Sequence, residues 1–285
     1  MNYRHIFHAG NPADVVKHVV LVMLLDRLRG KPAAFSVLDT HAGIGRYDLA
    51  SPEAQRSGEA AAGIGRLWQH GGLPTPVQRY VDLVRALNPD GPLRWYPGSP
   101  LLARALLRAD DRLVLSELHP DDVRTLQREF RDDAQVAVHH QDGWTALKAL
   151  LPPTPRRGLV LIDPPFEAPD DYQRLVAGLQ LAHGRWPTGL YALWYPIKDP
   201  AAVCSLHEAL AESAIRRILL VEMTWRDPGT ATNRNADPRK GLQGCGLALV
   251  NPPWQLDEEL REVLPALHGA LASGGGGAVR WLVME

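Results

Sequence analysis

The chain is poor in cysteine. Its two, Cys204 and Cys245, lie far apart and form no CxxC pair, which excludes a disulfide framework and a cysteine zinc site and suits a reducing cytoplasm. An excess of charge of one sign is also missing: the formal net charge is -1 at pH 7, so a polyanionic partner would have to be met by a local basic patch. Long hydrophobic runs are missing too. The longest early one, Val19 to Leu25, is flanked by Lys17, Asp26, Arg27 and Arg29 and is too short to span a bilayer, so a soluble cytoplasmic chain without signal peptide or membrane contact is expected. Repeats, low-complexity tracts and metal-ligand clusters are absent from the pattern, so neither a solenoid nor a metal is expected.

What is present is an alternation. With 285 residues, of which 45% are hydrophobic, the chain is long enough for one large α/β domain over 1–285. Asn11 and Pro12 make a helix start, Asp14 sits in the first turn and Gly30 follows the last periodic residue, so a helix is predicted from Pro12 to Arg29. Strand-like runs at Ser36 to Asp39, Arg112 to Glu117, Val136 to His140, Leu159 to Asp163 and Leu190 to Tyr195 alternate with helical segments, the signature of a parallel sheet with crossover helices. Two more runs, Ile218 to Met223 and Gly246 to Val250, are joined by a polar loop carrying Arg226, Arg234, Arg239 and Lys240. Without a crossover helix, they read as an antiparallel pair at the sheet edge. Between residues 50 and 96 the alternation lapses into two helical stretches, near 60–69 and 76–87, a small helical insertion. Glycines at 274–277 lead into one further strand at Ala278 to Val283.

Chemistry concentrates at Asp163-Pro164-Pro165-Phe166. An ionised Asp accepts and never donates, and neither proline has an N–H, so carboxylate and carbonyls make a pocket of hydrogen-bond acceptors beside the flat face of Phe166. Such a pocket suits an amine-bearing ring such as adenine, whereas the simpler alternative is a stiff turn that stops a buried strand. Asn251-Pro252-Pro253-Trp254 repeats the shape after another apolar run, and strand direction must decide between them.

A cofactor side is visible as well. Val37 to Gly45 is a strand feeding a glycine turn, with Gly43 and Gly45 permitting close backbone approach to a ligand. A GxGxxG dinucleotide fingerprint fails because its third glycine falls on Asp48. Glu117 ends the next strand, where an acid can hold ribose hydroxyls, at the expected spacing once the insertion is removed. Asp142 and Gly143 suit either the reading of an adenine or an ordinary turn. Ser99 with Pro100 most simply forms an N-cap, a helix end that can still present Ser99 to a cofactor.

These residues carry a resemblance. Asp39, Gly43, Gly45, Glu117 and Asp163-Pro164-Pro165-Phe166 together resemble a methyltransferase that uses S-adenosylmethionine to modify amines. The runs Phe7 to Asn11, Lys17-His18, Leu38 to Gly43, Tyr96 to Pro100, Ser116 to Pro120 and Ala192 to Pro196 are similar to the RlmJ family, which methylates adenine N6 in 23S ribosomal RNA. The resemblance spans nearly the whole chain. It implies a Rossmann-like class I methyltransferase fold, a mostly parallel doubly wound sheet with an antiparallel edge. It implies S-adenosyl-L-methionine contacts at His18, His41, Ser99, Glu117, Asp142, Gly143 and Asp163. It also implies catalysis by Asp163, Pro164 and Phe166, with Asp163 as proton acceptor, and places for Tyr3, His5 and Lys17 near the target adenosine.

Read without the family, Lys17 and His18 are the polar face of the first helix, and Tyr3 and His5 belong to a loose terminus. Phe166 departs from the family, which usually carries tyrosine there; stacking survives and a hydroxyl is lost. The expected partner is 23S ribosomal RNA, as free RNA or an assembly intermediate, with no oligomer required. Arg46, Arg156, Arg157, Arg185 and Lys198 are read as lying on the active face, where they would meet phosphates. Competing readings are methylation of DNA adenine or of a protein glutamine, a nicotinamide oxidoreductase, which Asp48 disfavours, and a silent RNA-binding protein.

Overall fold

The computed structural model describes residues 4–225 and 242–284. Tyr3 lies outside the described residues, as do Arg226, Arg234, Arg239 and Lys240 of the polar loop. The predicted first helix, α1 (Pro12–Arg29), is found with those ends, and the Asn11 side chain accepts from the Asp14 amide as its cap. Then follow β1 (Ser36–Asp39), β2 (Arg46–Asp48), α2 (Pro52–Ser57), α3 (Ile64–Trp68), α4 (Thr75–Ala86), β3 (Trp95–Pro97), α5 (Ser99–Ala105) and β4 (Arg112–Glu117). The second half runs α6 (Pro120–Glu129), β5 (Val136–His140), α7 (Gly143–Ala149), β6 (Gly158–Ile162), α8 (Asp171–Arg185), β7 (Leu190–Ile197), α9 (Pro200–Glu212), β8 (Ile218–Thr224), β9 (Gly244–Val250), α10 (Leu256–Leu271) and β10 (Gly276–Val283).

The main sheet has the order β10-β8-β9-β7-β6-β1-β4-β5. From β5 to β7 all neighbours are parallel, and β9, β8 and β10 then alternate antiparallel. Every residue of β1 and β6 is buried, as expected of central parallel strands covered on both faces. One expectation needs correction: β8 and β9 are an antiparallel pair, but they do not form the edge. β10 pairs outside β8 and takes that place, because a glycine turn lets the chain fold back after α10.

Residues 50–96 hold α2, α3 and α4, and the strands on either side, β2 and β3, zip into a two-stranded ribbon. Neither the ribbon nor α2 is signalled by periodicity, since each is only a few residues long. α1 packs against α4 and α5 on one side and β6, β7 and β9 on the other, so it is buried all round rather than along one stripe. Asp14, Lys17 and His18 are buried with it. Three ionisable residues in one buried turn cost too much to be accidental, and each must find a partner.

Candidate active site

Parallel strands open their carboxyl ends onto one edge of the sheet, where α/β folds bind ligands. Here Asp142, Glu117, His41 and Gly43, Asp163 to Phe166, and Lys198 follow β5, β4, β1, β6 and β7 in spatial order, lining one cavity of about 890 Å³. Asn251 ends the antiparallel β9 at the other end of the sheet. Its amide donates to the Arg217 carbonyl at 3.1 Å, and its side-chain NH2 donates to the Pro187 and Gly189 carbonyls at 2.8 Å. That motif closes a turn, as strand direction requires.

Asp163 does not face a pocket of acceptors alone, which corrects the reading of this stretch. Lys17 Nζ reaches across from α1 to Asp163 Oδ2 at 2.5 Å and to Asp14 Oδ1 at 2.8 Å. Burial works against the Lys17 charge, but the Asp14 and Asp163 carboxylates outweigh it and hold the ammonium well above the usual lysine range. Asp14 sits well below the usual carboxylate range against the pull of burial; since His18 is itself kept neutral, the Lys17 ammonium is its effective partner. Asp14 Oδ2 also accepts from the Gly10 amide at 3.0 Å and meets His5 Nε2 at 3.2 Å. The sequence had a signal for this link: Asp14, Lys17 and His18 are spaced three and four apart, on one helix face.

His18 is fully buried, and burial pushes its imidazole down to about 3. Its Nδ1 lies 2.8 Å from the Tyr96 hydroxyl, which meets the Tyr80 hydroxyl at 3.0 Å. Its Nε2 lies 3.5 Å from Asp14 Oδ1 without forming a hydrogen bond to it or to another of the described residues, and the ring lines the cavity. A neutral imidazole with an unsatisfied ring nitrogen fits a polar ligand group better than an empty wall.

Ser99 is not the cap of α5. Gly98 takes that position with extended backbone, and the Ser99 hydroxyl donates to Asp39 Oδ2 at 2.6 Å. Asp39 also accepts from the His41 amide at 3.2 Å, so it ties the glycine turn to α5. Burial pushes its carboxyl up to about 6. His41 stands edge-on to Trp144 at 5.6 Å and is kept neutral by burial, its imidazole lowered to about 4.

Glu117 closes the turn from the other side. Its oxygens accept from the Gly43 and His119 amides, each at 2.7 Å, and burial raises its carboxyl above the usual range. Asp142 is the cap of α7, accepting from the Thr145 amide at 3.0 Å, while also lining the cavity. At Gly143 a Cβ would stand 2.4 Å from the Thr40 carbonyl oxygen and 2.8 Å from His41 Cε1. The missing side chain there serves close packing of the start of α7 on the turn after β1.

Phe166 adopts φ 51, the left-handed region that non-glycine residues enter at a cost of roughly 1–2 kcal/mol. Its ring packs against Tyr172 at 4.9 Å and Trp194 at 5.8 Å. Tyr172 does not replace the hydroxyl missing at 166, because its own donates to the Pro196 carbonyl. The amino-terminal arm lies against the site: Arg4 pairs with Asp122 at 3.0 Å and His8 with Glu59 at 3.1 Å.

The basic face expected from sequence is only partly there. Arg157 donates to the Leu28 and Ala33 carbonyls and Arg185 to the Leu151 carbonyl, so Arg156, Arg157 and Arg185 cluster at the strands' amino ends, away from Asp163. Arg46 is paired with Glu129 at 2.7 Å. Lys198 alone of the five lines the cavity.

Comparison with known proteins gives a consistent result. A family model described as "Ribosomal RNA large subunit methyltransferase D, RlmJ" matches residues 32–283. Proteins named ribosomal RNA large subunit methyltransferase J are 45% identical in Escherichia coli and 43% identical in Haemophilus influenzae, each over 100% of both chains. A crystal structure of a Legionella pneumophila protein superposes with a TM-score of 0.86 at 33% identity, covering 96% of this chain and 98% of that one.

Proposed function

The chain belongs to the RlmJ family of large-subunit ribosomal RNA methyltransferases, and from that premise we propose that it transfers a methyl group from S-adenosyl-L-methionine to the N6 amine of an adenosine in 23S ribosomal RNA. The observation that carries the reading is Asp163 at the carboxyl end of β6, one oxygen pinned by Lys17, beside Phe166 and across the glycine turn from Glu117. Methylation of DNA adenine or of a protein glutamine is less well supported, because the full-length relatives are named as ribosomal RNA methyltransferases.

When bound, S-adenosylmethionine supplies an electrophilic methyl on a sulfonium. His18 Nε2, His41, Ser99, Glu117, Asp142 and Gly143 are the groups placed to hold it, Glu117 accepting from ribose hydroxyls and the Asp142–Gly143 corner meeting its adenine. The amine of the target adenine is a poor nucleophile because its lone pair is delocalised into the ring. Lys17 fixes Asp163 Oδ2 and so aims Oδ1, which accepts one N–H, while the Pro164 carbonyl is the second acceptor. Both bonds strengthen as positive charge develops on the nitrogen, and Asp163 then takes the proton. Phe166 stacks on the target base, which must be unpaired or flipped to arrive. His5 and Lys17 border that position, and Tyr3 is assigned to it by family resemblance alone. Free RNA or an assembly intermediate is the form we propose as substrate, since a flipped base needs an accessible strand, and a monomer holds every residue of the site.

The test is incubation of the protein with labelled S-adenosylmethionine and either deproteinised 23S RNA, ribosomal particles, DNA or total protein, followed by mapping of N6-methyladenosine. Label confined to RNA supports the reading. Label on DNA or protein alone overturns it.

A further inference from the structure

The cavity is longer than the cofactor and one base require. Its cofactor half spans β5 to β6. Beyond Phe166 it continues past β7, β9 and β8, whose ends at Ile197, Gly244 and Thr224 stand level in the sheet. Three strand spacings of about 4.8 Å make this second half roughly 14 Å long. Its walls include Lys198, Trp225 and Leu242, and, from the insertion, Arg66.

Two of these residues are cations. Several arginines of this protein are tied to carboxylates, as in Arg46–Glu129, Arg94–Asp48, Arg104–Asp133 and Arg27–Glu259. Arg66 and Lys198 are exposed and have no acidic partner among the described residues. Arg66 is nevertheless not loose: its Nη1 donates to the Leu271 carbonyl at 2.7 Å, fixing the guanidinium at the cavity wall with its other donors unspent. Trp225 is held likewise, its Nε1 donating to the Leu242 carbonyl at 2.9 Å, which leaves a half-exposed ring face at the cavity. Two unpaired cations and an anchored indole, set along an edge that starts at the reacting base, are the elements of a single-strand groove.

We propose that this second half of the trough binds the RNA nucleotides next to the target adenosine, Arg66 and Lys198 taking phosphates and Trp225 stacking a base. The proposal rests on the reading of the protein as an RNA methyltransferase and adds where the strand runs. It makes the helical insertion part of the substrate site through Arg66.

The test uses the full-length protein and a 23S RNA fragment containing the methylated adenosine. In the Arg66→Gln/Lys198→Gln double variant, loss of two phosphate contacts lowers the slope of log affinity against log salt by about 1.4, at about 0.7 per phosphate. KM for the fragment rises about tenfold at moderate salt, while kcat at saturating RNA and the dissociation constant of S-adenosylhomocysteine stay as in the parent. Trp225→Ala raises KM by about tenfold, and Trp225→Phe restores most of it. An unchanged KM and salt slope in the double variant overturns the proposal even if the parent methylates RNA normally. A parent protein that methylates no RNA overturns the underlying reading instead. Weaker S-adenosylhomocysteine binding in the variants also counts against the proposal, since the two halves of the trough would then not be separate.

Discussion

Replacing Lys17 with methionine isolates what the buried cation does. The substitution keeps length and apolar bulk but leaves Asp14 and Asp163 facing each other without compensation; the Lys17 side chain is only 6% exposed and its contacts are 2.8 and 2.5 Å. At an effective dielectric near 20, each such contact is worth about 6 kcal/mol before desolvation is subtracted. Breaking a buried pair by removing one partner typically leaves a net loss of about 3 to 5 kcal/mol. The sign with pH follows from Asp14. Its depressed value in the folded protein contributes stability that is present above the ordinary carboxylate value and is lost as pH falls through the folded one. Without Lys17 burial is opposed only by the neighbouring His5 and the Gly10 amide, so the carboxyl rises, and its charged form becomes a cost that protonation relieves. Urea unfolding should therefore show a gap between parent and Lys17→Met that is widest near about pH 8 and narrows toward about pH 5. Adding Asp14→Asn to Lys17→Met should recover part of the loss, since the two sites share a partner. A gap below about 1 kcal/mol, or one flat across that pH range, refutes the argument that Lys17 is the keystone of a buried charge chain.

Four further outcomes can be checked directly. Asp163→Asn should fold and bind S-adenosylhomocysteine, yet lose about 10²-fold or more in methylation rate measured with labelled cofactor; near-normal turnover removes Asp163 as proton acceptor. Phe166→Tyr should keep activity within a few-fold, whereas Phe166→Ala should lose base stacking, worth about 1–3 kcal/mol, read as a higher KM for RNA. Gly143→Ala forces a Cβ against the Thr40 carbonyl oxygen at 2.4 Å and should lower the melting temperature and weaken cofactor binding by calorimetry, with overpacking costing about 1–3 kcal/mol. Asp39 has a folded value of about 6, raised by burial, so its charged form costs stability that is fully felt above that value and relieved as pH falls toward the unfolded one. Asp39→Asn should accordingly gain on the parent by up to about 3 kcal/mol as pH rises through 4 to 6, followed by chemical denaturation.

Much of the scaffold is legible in the sequence because its signals are local. Ser36–Asp39, Arg112–Glu117 and Val136–His140 are strands with the expected ends, since each is a short apolar run bounded by turn residues. The helix ends at Asn11 and Gly30 follow from capping chemistry in the same way. What escaped depends on distance in space. The ribbon of β2 and β3 pairs residues about fifty positions apart over three residues each, too short for any period. The misplaced arginines failed for a related reason: Arg157 and Arg185 stand near strand starts, and proximity to a strand says nothing about which end. At the site, Ser99 looked like a cap because the chain before Pro100 offered one, but the tertiary pull of Asp39 on its hydroxyl won.

The two proline-rich motifs show why direction carries the functional meaning. Asp163-Pro164-Pro165-Phe166 and Asn251-Pro252-Pro253-Trp254 both follow buried strands, and both contain a residue with positive φ, Phe166 at 51 and Asn251 at 55. Asparagine tolerates that conformation and binds the backbone around it, as Asn251 does on Pro187 and Gly189, so its turn stabilises itself. Phenylalanine pays for it with strain and makes no such bond; the packing of Tyr172 and Trp194 against its ring must hold it there. A strained aromatic at the carboxyl end of a parallel strand, next to an ion-paired carboxylate, is poorly explained as a turn and well explained as a platform for a base. Reversal of β9 sends its motif to the opposite end of the sheet, whereas β8, reached through α9 and running the same way as β7, ends at the active edge, where Trp225 continues beyond Phe166. One antiparallel strand thus removes the decoy from the active face and lengthens that face for the substrate strand.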